Sequence, residues 1–448
     1  MPHSFVSPAS FLSSRCNYAM EKFNSLILRY NSIFDEIPDD PGWKVSKSQI
    51  GGKGILATRN FNPGDIIFKD HPLIVGPRSI PDQKPICVGC YKNENLKLCS
   101  KGCRLNVCNQ CANNDVHFFE CDYLKKLRYK DENESEKKII RVLTPLRCLT
   151  FDDVKKEIVN HLHKLNGPQQ GLEVELLKRL TISKIPTRDE RFMRLCCSVL
   201  DANAYEIQLA GKHENIRGLY PMASVMNHSC APNTRHDFTD DHEMIIKATK
   251  VIPAGTEITT TYAPLLLGTP ARRHFLNKSK HFECRCSRCK DFTENGTFLS
   301  AFKCRTPSCD SILLPKEPLN LFTTWRCQTC DLILTADKVA ILQNVIANEI
   351  SKLDVAFPAQ IVQFVNTNRI VATSHHAIVQ FKYILLNVIG YSDGYKWSEL
   401  PHDLLQLKRT ICLEILEIVD RLSLGQCQIK EVCSFELQET DKELQRRM

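Results

Sequence analysis

The chain has 448 residues, 43% hydrophobic and 25% charged, with 59 Lys and Arg against 51 Asp and Glu for a formal net charge of +8. That composition is ordinary for a soluble globular protein and leaves room for about two to four domains. The positive excess is small and dispersed, so it does not by itself argue for nucleic acid, and no apolar run approaches the ~18 residues that span a bilayer.

Residues 1–42 read as an N-terminal extension of mixed composition that closes on the boundary signal Pro38-Asp39-Asp40-Pro41-Gly42. Its start is Ser-rich and acid-poor but lacks an Arg-rich amphipathic pattern and an apolar core, so no targeting segment is expected. Residues 43–86 predict short strands at 43–45, 54–58, 66–69 and 73–75, with a turn at Asn62-Pro63-Gly64-Asp65. A cysteine cluster fills 87–121. Residues 122–217 form a helical insert; helical periodicity runs over 131–215, through Ile139, Ile140, Val142, Leu143 and Leu146 and then Leu172, Leu176, Leu177 and Leu180. Short strands return over 218–264 around turns at Thr239-Asp240-Asp241 and Pro253-Ala254-Gly255. Residues 265–334 hold further cysteines, and 335–448 are helical. The fold class is therefore α+β and multi-domain, a β region interrupted by a cysteine module and a helical insert. There is no internal repeat or low-complexity tract.

The 22 cysteines come largely as C-x2-C and C-x-C pairs in a long chain, which suits metal ions in a reducing compartment better than disulfides. The first cluster predicts two interleaved tetrahedral zinc sites, Cys87, Cys90, Cys108 and Cys111 on one ion, and Cys99, Cys103, His117 and Cys121 on the other. So small a segment needs the folding free energy that zinc supplies, which disfavours a scatter of buried thiols. Its spacing resembles the MYND finger, a protein-interaction module, with a gap between Cys99 and Cys103 one residue longer than the commonest version. Cys304, Cys309, Cys327 and Cys330 predict a ribbon-like structural zinc site. Cys284, Cys286 and Cys289 offer three thiolates and need a fourth; a cysteine-rich turn paired with some other thiol is the plainer alternative. Cys16, Cys148, Cys196, Cys197, Cys412, Cys427 and Cys433 stand outside these groups, and buried packing is the default for each.

Three separated segments share an order with one family. Gly51-Gly52-Lys53-Gly54 leads to Phe61-Asn62-Pro63-Gly64-Asp65; Asn227-His228-Ser229-Cys230-Ala231-Pro232-Asn233 follows; Glu257-Ile258-Thr259-Thr260-Thr261-Tyr262 comes last, closed by Phe282-Glu283-Cys284-Arg285-Cys286. Each is weak alone. Together, with a MYND-like finger after the first, the chain from residue 43 resembles the SET-and-MYND (SMYD) protein-lysine methyltransferases. The tail, with His375-His376 and Asp420-Arg421-Leu422, looks most like their arthropod branch. The resemblance implies a threaded SET fold, an exception to unknotted chains, with zinc-binding post-SET and ribbon segments and a C-terminal helical lobe. It implies S-adenosylmethionine as methyl donor, four zinc ions, and Cys230 as the fourth ligand beside Cys284, Cys286 and Cys289. It carries Lys53, Asn203, Asn227, His228, Tyr262 and Phe282 over as donor-binding residues and Tyr262 as the catalytic one. Expected partners are a histone or non-histone protein lysine and proline-containing corepressor peptides on the finger, in transcriptional repression. A monomer in cytoplasm and nucleus is expected, with no membrane and no direct nucleic-acid contact, because the finger mixes Lys92, Lys97, Lys101 and Arg104 with acidic residues.

The chemistry needs such residues. Methyl transfer to an amine is an in-line displacement in which orientation supplies much of the rate. The amine must be neutral, and an apolar channel beside a positive sulfonium depresses its pKa. Taken singly, Asn227 and His228 read as a turn pair, Tyr262 as a strand-end core residue and Lys53 as a loop lysine. Lys280 stands where the family commonly has a channel tyrosine, and Gly51 where a second basic residue is common. The tail ends at Arg446-Arg447-Met448, short of the family's further helices, which predicts a more open cleft. The alternative to an active enzyme is a SET scaffold whose finger recruits corepressor peptides.

Overall fold

The computed structural model describes residues 8–35, 40–79, 85–112, 117–165, 171–208, 215–355 and 357–447. The chain divides into two compact units. One comprises Met1–Arg59, Ile66–Met226 and His236–Ile246; the other comprises Asn60–Asp65, Asn227–Arg235 and Lys247–Met448.

In the first unit a helix, Pro8–Asn31, occupies most of what reads in sequence as a mixed extension. Phe23, Ile27 and Tyr30 are buried, an i, i+4, i+7 stripe that packs on helix Asp153–His161 and strand Trp43–Lys47. The residues at 38 and 39 of the expected boundary signal lie outside the described residues. Strand Trp43–Lys47 pairs antiparallel with Lys53–Ala57, in register from Trp43↔Ala57 to Lys47↔Lys53. The link between them is a turn in which the Ser48 hydroxyl accepts from the Ile50 amide at 2.8 Å and Gly52 adopts φ +62°, which glycine takes without strain. The helical insert ends at Asn203, earlier than its periodicity suggests. Tyr205–Gln208 and Asn215–Leu219 are strands, and the second is the centre of a three-stranded sheet with Ile74–Pro77. Alternation with an aromatic and a β-branched residue outweighs helical propensity there.

The cysteine finger folds on hairpin Leu96–Leu98 and Asn106–Cys108. It is braced by half-buried Arg147, which donates to the Val88 carbonyl at 2.7 Å and the Tyr91 hydroxyl at 2.9 Å and pairs with Glu120.

The second unit holds a four-stranded antiparallel sheet, Phe302–Lys303, Ile312–Pro315, Trp325–Cys327 and Ile333–Leu334. The helices from Ala336–Ile350 to Gln428–Arg446 follow it. Phe302, Trp325, Ile378, Leu385, Ile411 and Ile415 share one core. The turns expected at 62–65 and 253–255 close as Asp65 N–H to the Asn62 carbonyl and Thr256 N–H to the Pro253 carbonyl, both at 3.1 Å.

Asp70 ends strand Ile66–Asp70 fully buried. Its Oδ2 accepts from the Ala223 amide at 2.7 Å, and Oδ1 has no partner among the described residues. Burial pushes its pKa up to about 8, against the pull of the Ala223 and Met222 amides and the Asn31 side chain. Between pH ~4, where an unfolded aspartate ionises, and pH 8 the folded chain binds the extra proton, so stability falls as pH rises through that window. Asp70→Asn should flatten that slope. In urea titrations at pH 5 and pH 8 the wild type should lose about 1 to 4 kcal/mol more than the variant; equal slopes would show that Asp70 is ionised when folded.

Candidate active site and its zinc support

Four groups of side chains converge with metal-ligand geometry: Cys87, Cys90, Cys108 and Cys111; Cys99, Cys103, His117 and Cys121; Cys230, Cys284, Cys286 and Cys289; and Cys304, Cys309, Cys327 and Cys330. Within every group the ligand atoms lie within 4.8 Å of one another. Sulfur separations include 3.7 Å for Cys90 and Cys108, 3.9 Å for Cys99 and Cys121, 3.5 Å for Cys304 and Cys330, and 3.7 Å for Cys309 and Cys327. Four sulfurs at ~2.3 Å from a tetrahedral Zn2+ are about 3.8 Å apart, whereas a disulfide needs ~2.05 Å. The spacing fits zinc and excludes disulfides in these pairs. Of the remaining cysteines, Cys148, Cys196, Cys197, Cys412, Cys427 and Cys433 are buried, and the Cys16 side chain lies outside the described residues. A further trio, Asp35, His71 and Glu243, is an ion-pair cluster: both carboxylates lie against His71 Nε2, at 3.0 and 3.2 Å, with Lys69 beside Glu243.

The third tetrad sits in an unusual electrostatic setting. Cys230 Sγ lies 3.5 Å from Cys289 and 3.8 Å from Cys284. Arg272 and Arg288 are fully buried beside it. Arg272 Nη2 points to Cys289 Sγ at 3.7 Å, and Arg288 donates to the carbonyls of Cys230, Leu265 and Leu267 at 2.8 to 3.0 Å. Their one carboxylate among the described residues is Glu294, 2.7 Å from Arg272 and 3.4 Å from Arg288. Burial opposes ionisation of Glu294, and the two guanidiniums overcome it and hold its pKa below the usual range. Two buried cations facing one carboxylate leave a positive excess, which a zinc ion with four thiolates, formally −2, offsets.

Beside this tetrad lies the Asn227-to-Tyr262 constellation. Strand Asn227–His228 runs parallel to Glu257–Thr260, with Thr259 opposite Asn227 and Thr260 opposite His228. Asn233 clamps the two segments, accepting from the Thr259 amide and donating to the Glu257 carbonyl, each at 2.8 Å. Asn227 Nδ2 donates to Glu257 Oε1 at 2.7 Å. The Tyr262 amide donates to His228 Nδ1 at 2.9 Å, so the proton of the neutral imidazole is on Nε2, which donates to Cys230 Sγ at 3.2 Å. Burial pushes the His228 pKa down to about 4, which keeps the ring neutral. The rings of His228, Tyr262 and Phe282 cluster at centroid separations of 5.4 to 6.3 Å, with Phe282 edge-on to Tyr262. Burial, reinforced by the Glu257 charge, raises the Tyr262 pKa to about 12, so its hydroxyl stays protonated. Lys280 Nζ lies 5.7 Å from the centre of the Tyr262 ring.

The structure thus gathers Asn227, His228, Tyr262 and Phe282 in the second unit. Lys53 and Asn203 belong to the first, where both reach one segment: Lys53 Nζ donates to the His161 carbonyl at 3.0 Å and Asn203 Nδ2 to the His163 carbonyl at 2.8 Å. His228 commits both ring nitrogens inside the protein, so any ligand contact from it comes through the main chain. The supporting roles of Glu257, Arg272, Arg288 and Glu294 have no counterpart in the sequence reading; two arginines on separate helices, Thr269–Lys280 and Ser287–Lys290, carry no motif.

A profile of the SET domain matches residues 52–263. SET domain-containing protein SmydA-8, isoform B, of Drosophila melanogaster is 31% identical over 418 residues, covering 90% of this chain and 92% of the fly protein. Histone-lysine N-methyltransferase SMYD3 of Mus musculus is 28% identical over 276 residues, 56% of this chain and 61% of the mouse protein. N-lysine methyltransferase SMYD2-B of Xenopus laevis is 26% identical over 253 residues, 53% and 58%. Among solved structures, the SET domain of LSMT bound to lysine and AdoHcy aligns over 96% of this chain and 93% of that one at 11% identity, with a TM-score of 0.30, too loose a likeness to bear on the site.

Elemental analysis of purified protein should return four zinc ions per chain. Cys230→Ser should lower that to three and destabilise the second unit by several kcal/mol, because Arg272 and Arg288 lose their counter-charge. Retention of four ions by the variant would remove Cys230 from the ligand set.

Proposed function

The chain belongs to the SET-and-MYND (SMYD) family, in its arthropod-type branch, and on that premise we propose that it is a protein-lysine methyltransferase that uses S-adenosylmethionine. When bound, the donor supplies an electrophilic methyl on a sulfonium. That methyl would pass to a substrate lysine Nζ, and Asn227, the His228 main chain, Tyr262 and Phe282 would hold the donor, with Tyr262 orienting the amine.

The observation that carries the reading is the environment of Tyr262. Its ring is held by Phe282 and His228, and its hydroxyl stays protonated through the neutral range. A neutral phenol can orient the incoming amine without presenting a charge that would trap it as ammonium. Phe282 offers a flat apolar face that excludes water. Asn227 is oriented by Glu257, and the His228 main chain lies on the strand beside the segment that ends in Tyr262. The assignment of Lys53 and Asn203 to the donor is part of the proposal and rests on the resemblance alone. So do a histone or other protein lysine as target, corepressor peptides on the finger, transcriptional repression, a monomeric state and placement in cytoplasm and nucleus.

One observation favours the alternative of an inactive scaffold that recruits through its finger. A cation, Lys280, stands beside Tyr262. A radiolabelled-donor assay over a panel of proteins separates the two. The enzyme reading predicts lysine labelling that drops about 100-fold in Tyr262→Phe and survives in Cys87→Ser. Absence of labelling, or labelling indifferent to Tyr262→Phe, would leave the scaffold, for which Cys87→Ser should abolish peptide capture.

A further inference from the structure

We propose that Asp35, His71 and Glu243 form a further metal site, which takes a divalent first-row transition ion such as Zn2+ or Co2+ and ties the end of the N-terminal helix to two strands. The site is separate from the four tetrads and does not rest on the methyltransferase reading.

Three separate segments deliver the trio. Asp35 closes the turn after helix Pro8–Asn31, its amide donating to the Asn31 carbonyl at 3.1 Å. His71 directly follows strand Ile66–Asp70, and Glu243 directly precedes strand Met244–Ala248. Neighbours hold each in place. The Asn31 side chain accepts from the His71 amide at 3.2 Å, and the Phe34 ring stacks on the imidazole at 4.3 Å. The Glu243 amide donates to the Thr239 hydroxyl at 3.1 Å. One oxygen of each carboxylate then faces the same ring nitrogen: Asp35 Oδ2 lies 3.0 Å and Glu243 Oε1 3.2 Å from His71 Nε2. The three ligand atoms all lie within 4.8 Å of one another.

Nε2 carries at most one proton, which points in one direction and serves two carboxylates poorly. A cation on the Nε2 lone pair serves both at once. Ligands ~2.0 to 2.2 Å from a tetrahedral Zn2+ stand about 3.3 to 3.5 Å apart, and the observed separations need only a small relaxation to reach that. Two carboxylates and a neutral imidazole also match the charge of a divalent ion. Lys69 leans on the far oxygen of Glu243, 3.7 Å from Oε2, which leaves Oε1 for the ion. The imidazole selects Zn2+ or Co2+ over Mg2+ and Ca2+, which prefer all-oxygen ligands. Three protein ligands give the fourth position of a tetrahedral ion to solvent. The Asp35 side chain is 39% exposed, against 19% for His71 and 12% for Glu243, so an ion enters and leaves past Asp35. This ion therefore exchanges, washes out on dialysis, and adds to the four tetrad ions only when it is supplied.

The test adds Co2+ to the full chain with zinc already in its tetrads. Wild type should bind one Co2+ saturably, with visible d–d absorption and without the sulfur-to-cobalt charge transfer of a thiolate site. Zn2+ should displace it, whereas Mg2+ and Ca2+ should not. Glu243→Gln should weaken binding about tenfold or more, since even groups that merely bond to a metal's ligands are worth that much. Asp35→Asn, at the exposed end of the site, should do the same without disturbing the core. Zn2+ should also raise the melting temperature of wild type by a few degrees and leave that of Asp35→Asn unmoved. Absence of saturable binding to wild type, or binding as tight in Asp35→Asn and Glu243→Gln as in wild type, overturns the proposal and leaves the trio an ion-pair cluster only.

Discussion

One imidazole links a metal site to a tyrosine. His228 donates through Nε2 to the thiolate of Cys230 and accepts through Nδ1 from the amide of Tyr262. The two bonds are mutually dependent. A ring protonated on Nδ1 would clash with the Tyr262 amide, and a doubly protonated ring would do so while carrying a buried charge. Zinc keeps Cys230 as a thiolate, and a thiolate is the better acceptor for Nε2–H. The metal therefore fixes the tautomer, the tautomer fixes the ring, and the ring fixes the backbone from which the Tyr262 side chain springs.

The surroundings extend that dependence. Among the described residues Arg272 and Arg288 are buried with a single carboxylate, Glu294, and the charge they lack is the charge a four-thiolate zinc site carries. Breaking such a group by removing one partner is costly, on the order of 3 to 5 kcal/mol, because a buried ion is left uncompensated. The same arginines bond the carbonyls of Leu265 and Leu267, just after Tyr262, so metal charge and chain path are settled together. Helix Thr269–Lys280 then returns Phe282 and Lys280 to that tyrosine.

Parts of this were open to reading in the sequence. The spacings around Cys87 and Cys304 are local, so they define their tetrads without knowledge of the fold. The partner of Cys284, Cys286 and Cys289 is not local. Cys230 lies 54 residues before Cys284, and only the resemblance pointed to it. The strands expected at 43–45 and 54–58 are legible in the sequence, but helix Pro8–Asn31 is not, because its buried stripe of Phe23, Ile27 and Tyr30 is thin amid Ser and Asn. The strand Tyr205–Gln208 was missed because its pairing partner, not its own four residues, decides its conformation. The roles of Arg272, Arg288 and Glu294 were illegible for a simpler reason: charged residues are ordinarily solvated, and nothing in their spacing announces burial. His228 was recognised by motif, while the use of its two nitrogens emerges only from geometry.

The measurement that bears most directly on the metal-to-tyrosine link is the protonation of His228, read by nitrogen NMR of protein labelled at its histidine ring nitrogens, with His228→Phe identifying the signal. In the zinc-loaded chain the ring should be neutral, protonated on Nε2, and should not titrate between pH 6 and 8. A ring protonated on Nδ1, or one that titrates near pH 6.5 with zinc in place, would contradict the link.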